Sequence, residues 1–236
     1  MFPGVVLLCY NAPNVMSIAD NLARVRERIA AAASRAGTDA DEIALIAVTK
    51  TVDTPSIQEA IEAGVTDIGE NYVQDSVRKF EVIGNAVRWH MIGHLQTNKV
   101  RQAVPIFCSI QTVDSLRLAK EIGKRSTAIG KCTEVLVEVN ISGETSKFGV
   151  QPEQALALCE SASLIEGVEL RGLMGIAPFV TDEAAIRKSF KLLKGLWDRL
   201  SNANQRWLSM GMSSDFEIAI EEGSNMVRIG TAIFGQ

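Results

Sequence analysis

Eight short runs rich in valine and isoleucine punctuate the chain, and seven periodic stretches with glutamate, lysine and alanine fill the gaps between them. The runs lie at 43–49, 65–69, 87–93, 106–112, 134–139, 168–174, 206–210 and 226–229 and read as strands. The intervening stretches at 54–63, 72–83, 96–104, 115–127, 152–165, 183–200 and 214–222 read as helices. Connections are short, and no linker rich in proline, glycine or serine interrupts them. Repeated strand–helix units imply a parallel sheet with both faces covered, and eight of them predict a closed (β/α)8 barrel. An open doubly wound sheet is the competing architecture, but no GxGxxG follows the first strand. The chain runs only seven residues past the last strand, so no eighth helix is expected there. A helix over 17–36, opening at MSIADNLARVRERIAAAASRAG, is placed to fill that gap from the N-terminal side.

Composition suits a soluble globular protein, and by itself allows one large domain or two equally well. The chain has 236 residues, 47% of them hydrophobic and 22% charged, enough to bury a sizeable core. A formal charge of −4 without any Lys/Arg block argues against a nucleic-acid or membrane-surface footprint. The apolar runs are too short to span a bilayer. Cysteines at 9, 108, 132 and 159 form no CxxC pair, and the chain has only two histidines, so a zinc site is not expected. They read as free thiols in a reducing cytoplasm. Residues 1–15, MFPGVVLLCYNAPNV, carry an apolar patch without a basic flank or cleavage site, which argues against a signal peptide. They read as a tail or a start-site artefact, and 16–236 as a single barrel domain.

In a barrel of this kind, function gathers where strands end at the C-terminal face. The first strand, ALIAV, ends in Thr49-Lys50. A lysine there either snorkels to water or is used. A free lysine has a pKa of about 10.4 and is a poor nucleophile; burial beside apolar walls, which ALIAV would supply, exposes the neutral amine. Strand two ends in Gly69-Glu70-Asn71, where Asn71 is either a helix cap or a pocket residue. His90 and His94 straddle strand three and its turn; their spacing of four lacks the Glu of a helical zinc motif, so a structural or pocket-lining role is expected. Strand seven runs into Met210-Gly211-Met212-Ser213-Ser214-Asp215, and Ser214 with Glu217 has the spacing of a capping box. Strand eight contains Arg228 and ends in Gly230-Thr231. Arg228 is either an ion-paired exterior residue or a fixed cation aimed at a ligand. Loops after strands seven and eight often form the phosphate site of such barrels, and both loops here are of the right kind.

Seven stretches match one family in its own order: AVTK, GENYVQD, WHMIGHLQTNK, VNISGETSKFGV, RGLMGIAP, SMGMSSDFEIAIEEGS and MVRIGTAIFG. From about residue 17 onward the chain resembles the pyridoxal phosphate homeostasis proteins, small relatives of the alanine racemase N-terminal barrel. The resemblance implies a modified TIM barrel of the fold-type III class, with an N-terminal helix replacing the last barrel helix. It implies that Lys50 carries pyridoxal 5′-phosphate (PLP) as an internal aldimine and that Asn71 lines the ring. It places Ser213, Ser214, Gly230 and Thr231 on the phosphate, Arg228 at the pyridine nitrogen and His94 near the pocket mouth. Met210, at the end of strand seven, is counted with these cofactor-binding residues. The family binds the cofactor and affects vitamin B6 and amino-acid/keto-acid balance, with no established turnover. Its members are mostly monomers. The expected partners are PLP and, transiently, PLP-dependent apo-enzymes, with neither nucleic acid nor membrane among them.

The residues also bear on whether such a protein turns over. Racemisation needs a base on each face of the substrate Cα. Lys50 could supply one, but the chain stops after the barrel, and its tyrosines are Tyr10, in the tail, and Tyr72. An arginine at the ring nitrogen only donates and disfavours a protonated ring, which weakens carbanion stabilisation. Both features favour a binding protein, with no residue assigned a catalytic role and no metal. A weak PLP-dependent racemase or lyase is the alternative; a cofactor-free Schiff-base barrel acting on a sugar phosphate is a third reading.

Overall fold

The computed structural model describes residues 16–235 except Thr145. Residues 1–15, read above as a tail or artefact, lie outside it. Eight parallel strands close into a barrel in chain order: β1 (Ala44–Val48), β2 (Asp67–Glu70), β3 (Arg88–Met91), β4 (Ser109–Val113), β5 (Thr133–Val139), β6 (Val168–Gly175), β7 (Trp207–Ser209) and β8 (Met226–Ile229). β1 pairs with β8 as well as with β2, and its register, Ala44 on Met226 and Ala47 on Ile229, closes the ring and excludes the open sheet. Every predicted strand is present. β4 starts at Ser109 rather than 106, because the amides of Ile106 and Phe107 still bond back to the carbonyl of Ala103 and finish the preceding helical turn.

Around the barrel lie α1 (Ile18–Ala36), α2 (Thr54–Glu62), α3 (Val73–Ile83), α4 (Val100–Ala103), α5 (Leu116–Thr127), α6 (Pro152–Ser163), α7 (Glu183–Trp197), α8 (Phe216–Glu221) and α9 (Thr231–Phe234). The stretch at 96–104 is a 3-10 turn followed by a single turn of α-helix, which Pro105 stops. α1 begins with a capping box: Ser17 Oγ accepts from the Asp20 amide at 3.1 Å, and the Asp20 carboxylate accepts from the Ser17 amide at 3.2 Å. It buries Leu22, Val25, Ile29, Ala32 and Ala33 and packs on α8, α9 and α2, filling the gap as expected. The expectation that no helix follows the last strand is corrected by α9, a single turn tied to α1 where Asn21 Nδ2 donates to the Ile233 carbonyl at 3.1 Å.

Strand alternation sorts the side chains into two cores. Most apolar residues lie between strands and helices, with Trp89, Phe107, Phe190 and Phe216 fully buried. Ile46, Leu136, Met174 and Met226 form a separate small cluster, the apolar plug inside the barrel. A polar chain runs beside that plug. Asp67 Oδ1 meets His90 Nε2 at 2.7 Å, Gln111 Nε2 lies 3.2 Å from His90 Nδ1, and Ser209 Oγ donates to Gln111 Oε1 at 2.7 Å. His90 is thus a structural residue of the barrel interior. Burial opposes ionisation of Asp67, yet the hydrogen bond and charge of His90, with help from Thr66 and Arg88, hold its carboxyl at about 2.

Candidate functional site

Lys50 leaves β1 two residues beyond Val48, on the inward-facing phase of Ala44 and Ile46. Ile46 and Arg228 are register partners, so Lys50 emerges four residues above Arg228 on the neighbouring strand. The expected apolar walls are not around it: Lys50 is exposed, because β1 ends at Val48 and the chain turns at Lys50. Its predecessor is the buried residue. Thr49 Oγ1 donates to Glu70 Oε1 at 2.6 Å, and Lys79 Nζ donates both to the Thr49 carbonyl at 2.5 Å and to Glu70 Oε1 at 2.7 Å. Glu70 is fully buried. This clamp, which fixes the peptide just before Lys50, escaped the sequence reading. Its one signal was a glutamate on the outward phase of an otherwise buried strand, DIGE.

Arg228 is the buried cation of the mouth, 4% exposed. Nη1 donates to Ser209 Oγ at 2.6 Å and Nη2 to the Gly175 carbonyl at 3.0 Å. It therefore faces inward, without the exterior ion pair that the sequence also allowed. Burial pushes it down to about 10 against the pull of Asp215 and Glu138, so it stays charged at neutral pH. Ser209, which accepts from Arg228, and Gln111, which accepts from Ser209, were not picked out in the sequence, where nothing local marks them.

Ser213 and the start of α9 converge. Ser213 Oγ accepts from the amides of Gly230 and Ala232 at 3.3 and 3.4 Å. A Cβ on Gly230 would stand 3.3 Å from Val48, so glycine lets this backbone come close to β1. Ser214 and Thr231 are exposed beside this cluster. The predicted capping box between Ser214 and Glu217 does not form: α8 starts at Phe216 with Asp215 at its N-cap, and Glu217 is drawn away to Arg28 at 2.8 Å. The Asp215 carboxylate accepts from the Met212 amide at 2.6 Å. Met210 does not reach the mouth through its side chain, which is fully buried in the core between strands and helices. The strand phase explains this, since Ser209 takes the inward position.

Further round the mouth, past β1, Asn71 and His94 line a cleft of about 490 Å³. Asn71 does not cap α3; Tyr72 is the N-cap. The His94 ring stacks on Phe148, with centroids 4.0 Å apart and planes 11° apart, and its Nδ1 lies 3.5 Å from Asp114. Glu138 of β5, 6% exposed, also reaches this cleft. The structure thus groups Lys50, Ser213, Ser214, Arg228, Gly230 and Thr231 at the β7–β8–β1 side, and Asn71 and His94 at the β2–β3 side.

The alanine racemase N-terminal domain family model matches residues 20–236. A pyridoxal phosphate homeostasis protein of Aquifex aeolicus is 40% identical over 94% of this chain and 99% of its own length. A protein of the same name from Escherichia coli K12 is 43% identical, covering 92% and 96%. PipY of Synechococcus elongatus PCC7942, solved with PLP bound, is similar in structure with a TM-score of 0.80 and 31% identity, over 93% of this chain and all of PipY. With its closed eight-stranded barrel and this mouth, the chain belongs to the alanine racemase N-terminal domain family and, within it, to the pyridoxal phosphate homeostasis proteins.

Proposed function

We propose that this chain binds PLP and serves intracellular PLP homeostasis and amino-acid/keto-acid balance, holding the cofactor by a Schiff-base link to Lys50. The observation that carries this reading is the convergence of three groups on neighbouring strand ends. Lys50 leaves β1 in solvent reach, Arg228 lies inside the mouth on β8, and Ser213 is fixed at the start of α9 by the amides of Gly230 and Ala232, which donate to its Oγ. That set suits a phosphate: the hydroxyls of Ser213, Ser214 and Thr231 gather at the start of a helical turn, next to a cation whose hydrogen bonds go to a hydroxyl and a carbonyl. In this reading Ser213, Ser214, Gly230 and Thr231 hold the phosphate, Arg228 faces the ring nitrogen, Asn71 lines the ring and His94 stands at the edge. When bound, PLP supplies an aldehyde for amines and an electron-poor ring. The bound PLP of PipY and the homeostasis name of the relatives support the reading.

Fast turnover is not part of it. Arg228 is held as a permanent donor by Ser209 and Gly175, and a donor at the ring nitrogen weakens the ring as an electron sink. The expected outcome of adding PLP is a visible absorption band in the wild type that Lys50→Ala abolishes. A band that persists in the variant would overturn the link to Lys50. Steady loss of optical activity from an amino acid, abolished by the same variant, would overturn the non-catalytic reading.

A further inference from the structure

The cleft at the mouth is lined by none of Lys50, Ser213, Ser214, Arg228, Gly230 or Thr231. It occupies the other half of the mouth, and a smaller cavity of about 120 Å³ adjoins it beneath Phe148 and Ile176. Glu138 is the carboxyl that lines both. It points inward from β5 on the phase of Leu136 and is 6% exposed. Its Oε2 is buried with no hydrogen-bond partner among the described residues. A buried carboxyl oxygen left unpaired loses its hydration without compensation, so a group of this kind calls for an explanation. Arg228 does not supply one, since its bonds go to Ser209 and Gly175.

We propose that Glu138 is the anchor of a second ligand site in the mouth, which takes a small molecule bearing a primary ammonium group. The carboxylate is the cleft's charged acceptor, and its strongest complement is a compact cation with several donors. The adjoining cavity is too small for a large headgroup, and exposed apolar surface on Phe148 and Ile176 offers a wall for a short alkyl chain. The identity of the neighbour, PLP, rests on the function proposed above; the ammonium site itself does not need it.

The charge of Glu138 tunes this site. Burial, and then the nearby Asp114, push its carboxyl up to about 7, while Arg228 pulls it down. The other charged groups around the two cavities are His94, paired to Asp114, with Lys99 at the cleft and Lys147 at the smaller cavity. Only the ionised carboxylate attracts a cation, so affinity rises as the pH passes upward through about 7.

Calorimetric titration of the full chain, freed of PLP, with n-propylamine tests this. Saturable binding is expected at about pH 8, weakened about tenfold at about pH 5.5 and about tenfold in Glu138→Gln, with no binding of propionate. Equal binding in wild type and variant, no binding in the wild type, or a flat pH profile would overturn the proposal. The wild-type pH profile decides the matter even if the variant fails to fold. The PLP absorption band, read separately, is expected to survive Glu138→Gln. Its absence from the wild type would sink the cofactor reading and leave the amine titration to stand alone.

Discussion

Glu138 and Asp67 are both carboxyls inside the barrel, and their surroundings move them in opposite directions. Asp67 has His90, Arg88 and Thr66 as partners and is held at about 2, below its usual 3.8. It contributes stability above about 3.8 that is lost as the pH falls through about 2. Glu138 is raised from 4.5 to about 7 by burial and then by Asp114, with no partner for its Oε2 among the described residues. The unfolded chain then releases its proton near 4.5 while the folded chain keeps it to about 7, so stability falls by up to about 3 kcal/mol across that window. Glu138→Gln keeps the shape and removes the charge. Its urea midpoint is expected to match the wild type at about pH 4 and exceed it at about pH 8. Midpoints that run parallel from acid to base would show that Glu138 is solvated after all.

At the level of elements, the end of β1 is held by a helix three elements further on. Lys79 of α3 reaches across to the Thr49 carbonyl and to Glu70 on β2. Lys79 is 13% exposed at its side chain and Glu70 is fully buried, so the pair is weakly screened. Removing one partner of such a pair leaves an uncompensated buried charge and costs about 3–5 kcal/mol. Lys79→Met is expected to lose that much in chemical denaturation, and Glu70→Gln added to it is expected to recover most of the loss. A single variant as stable as the wild type would show that this clamp contributes nothing to stability.

For the whole molecule, barrel closure depends on strands coming close enough to pair. β6 takes an extra residue against β5: Val135 pairs with Leu170 and Leu136 with Gly172, so Arg171 is passed over. Gly172 has φ +149°, and a Cβ there would lie 1.8 Å from the Trp207 carbonyl oxygen of β7. No shift of a flexible side chain relieves a clash with backbone. Gly172→Ala is therefore expected to destabilise the fold by more than about 4 kcal/mol, seen as a large drop in Tm or as loss of soluble protein. A variant with an unchanged Tm would show that β6 and β7 separate without penalty. α1 is the other closing device, joining α8 through Arg28–Glu217 and Arg35–Glu221 and α9 through Asn21. Those exposed ion pairs add little, and its buried face of Leu22, Val25 and Ile29 does the holding.

Local periodicity was enough to read eight strands, their helices and the parallel order, because each element's pattern is written in adjacent residues. The same order identified Lys50, Ser213, Arg228 and Gly230 as strand-end residues, since that placement depends on where a strand stops and not on what it touches. Tertiary structure alone decided which side chains point inward, what they meet and how deeply they are buried. The Ser214–Glu217 spacing suggested a cap, but Arg28, 189 positions away, holds Glu217 instead. Met210 sits at a strand end and still packs into the outer core, because one step along a strand reverses the face. Ser209 meets Gln111 across 98 positions, and the Oε2 of Glu138 is buried without a partner among the described residues only once the barrel has closed around it. Such contacts depend on register and closure, which bring distant residues together without leaving a mark on the sequence around either of them.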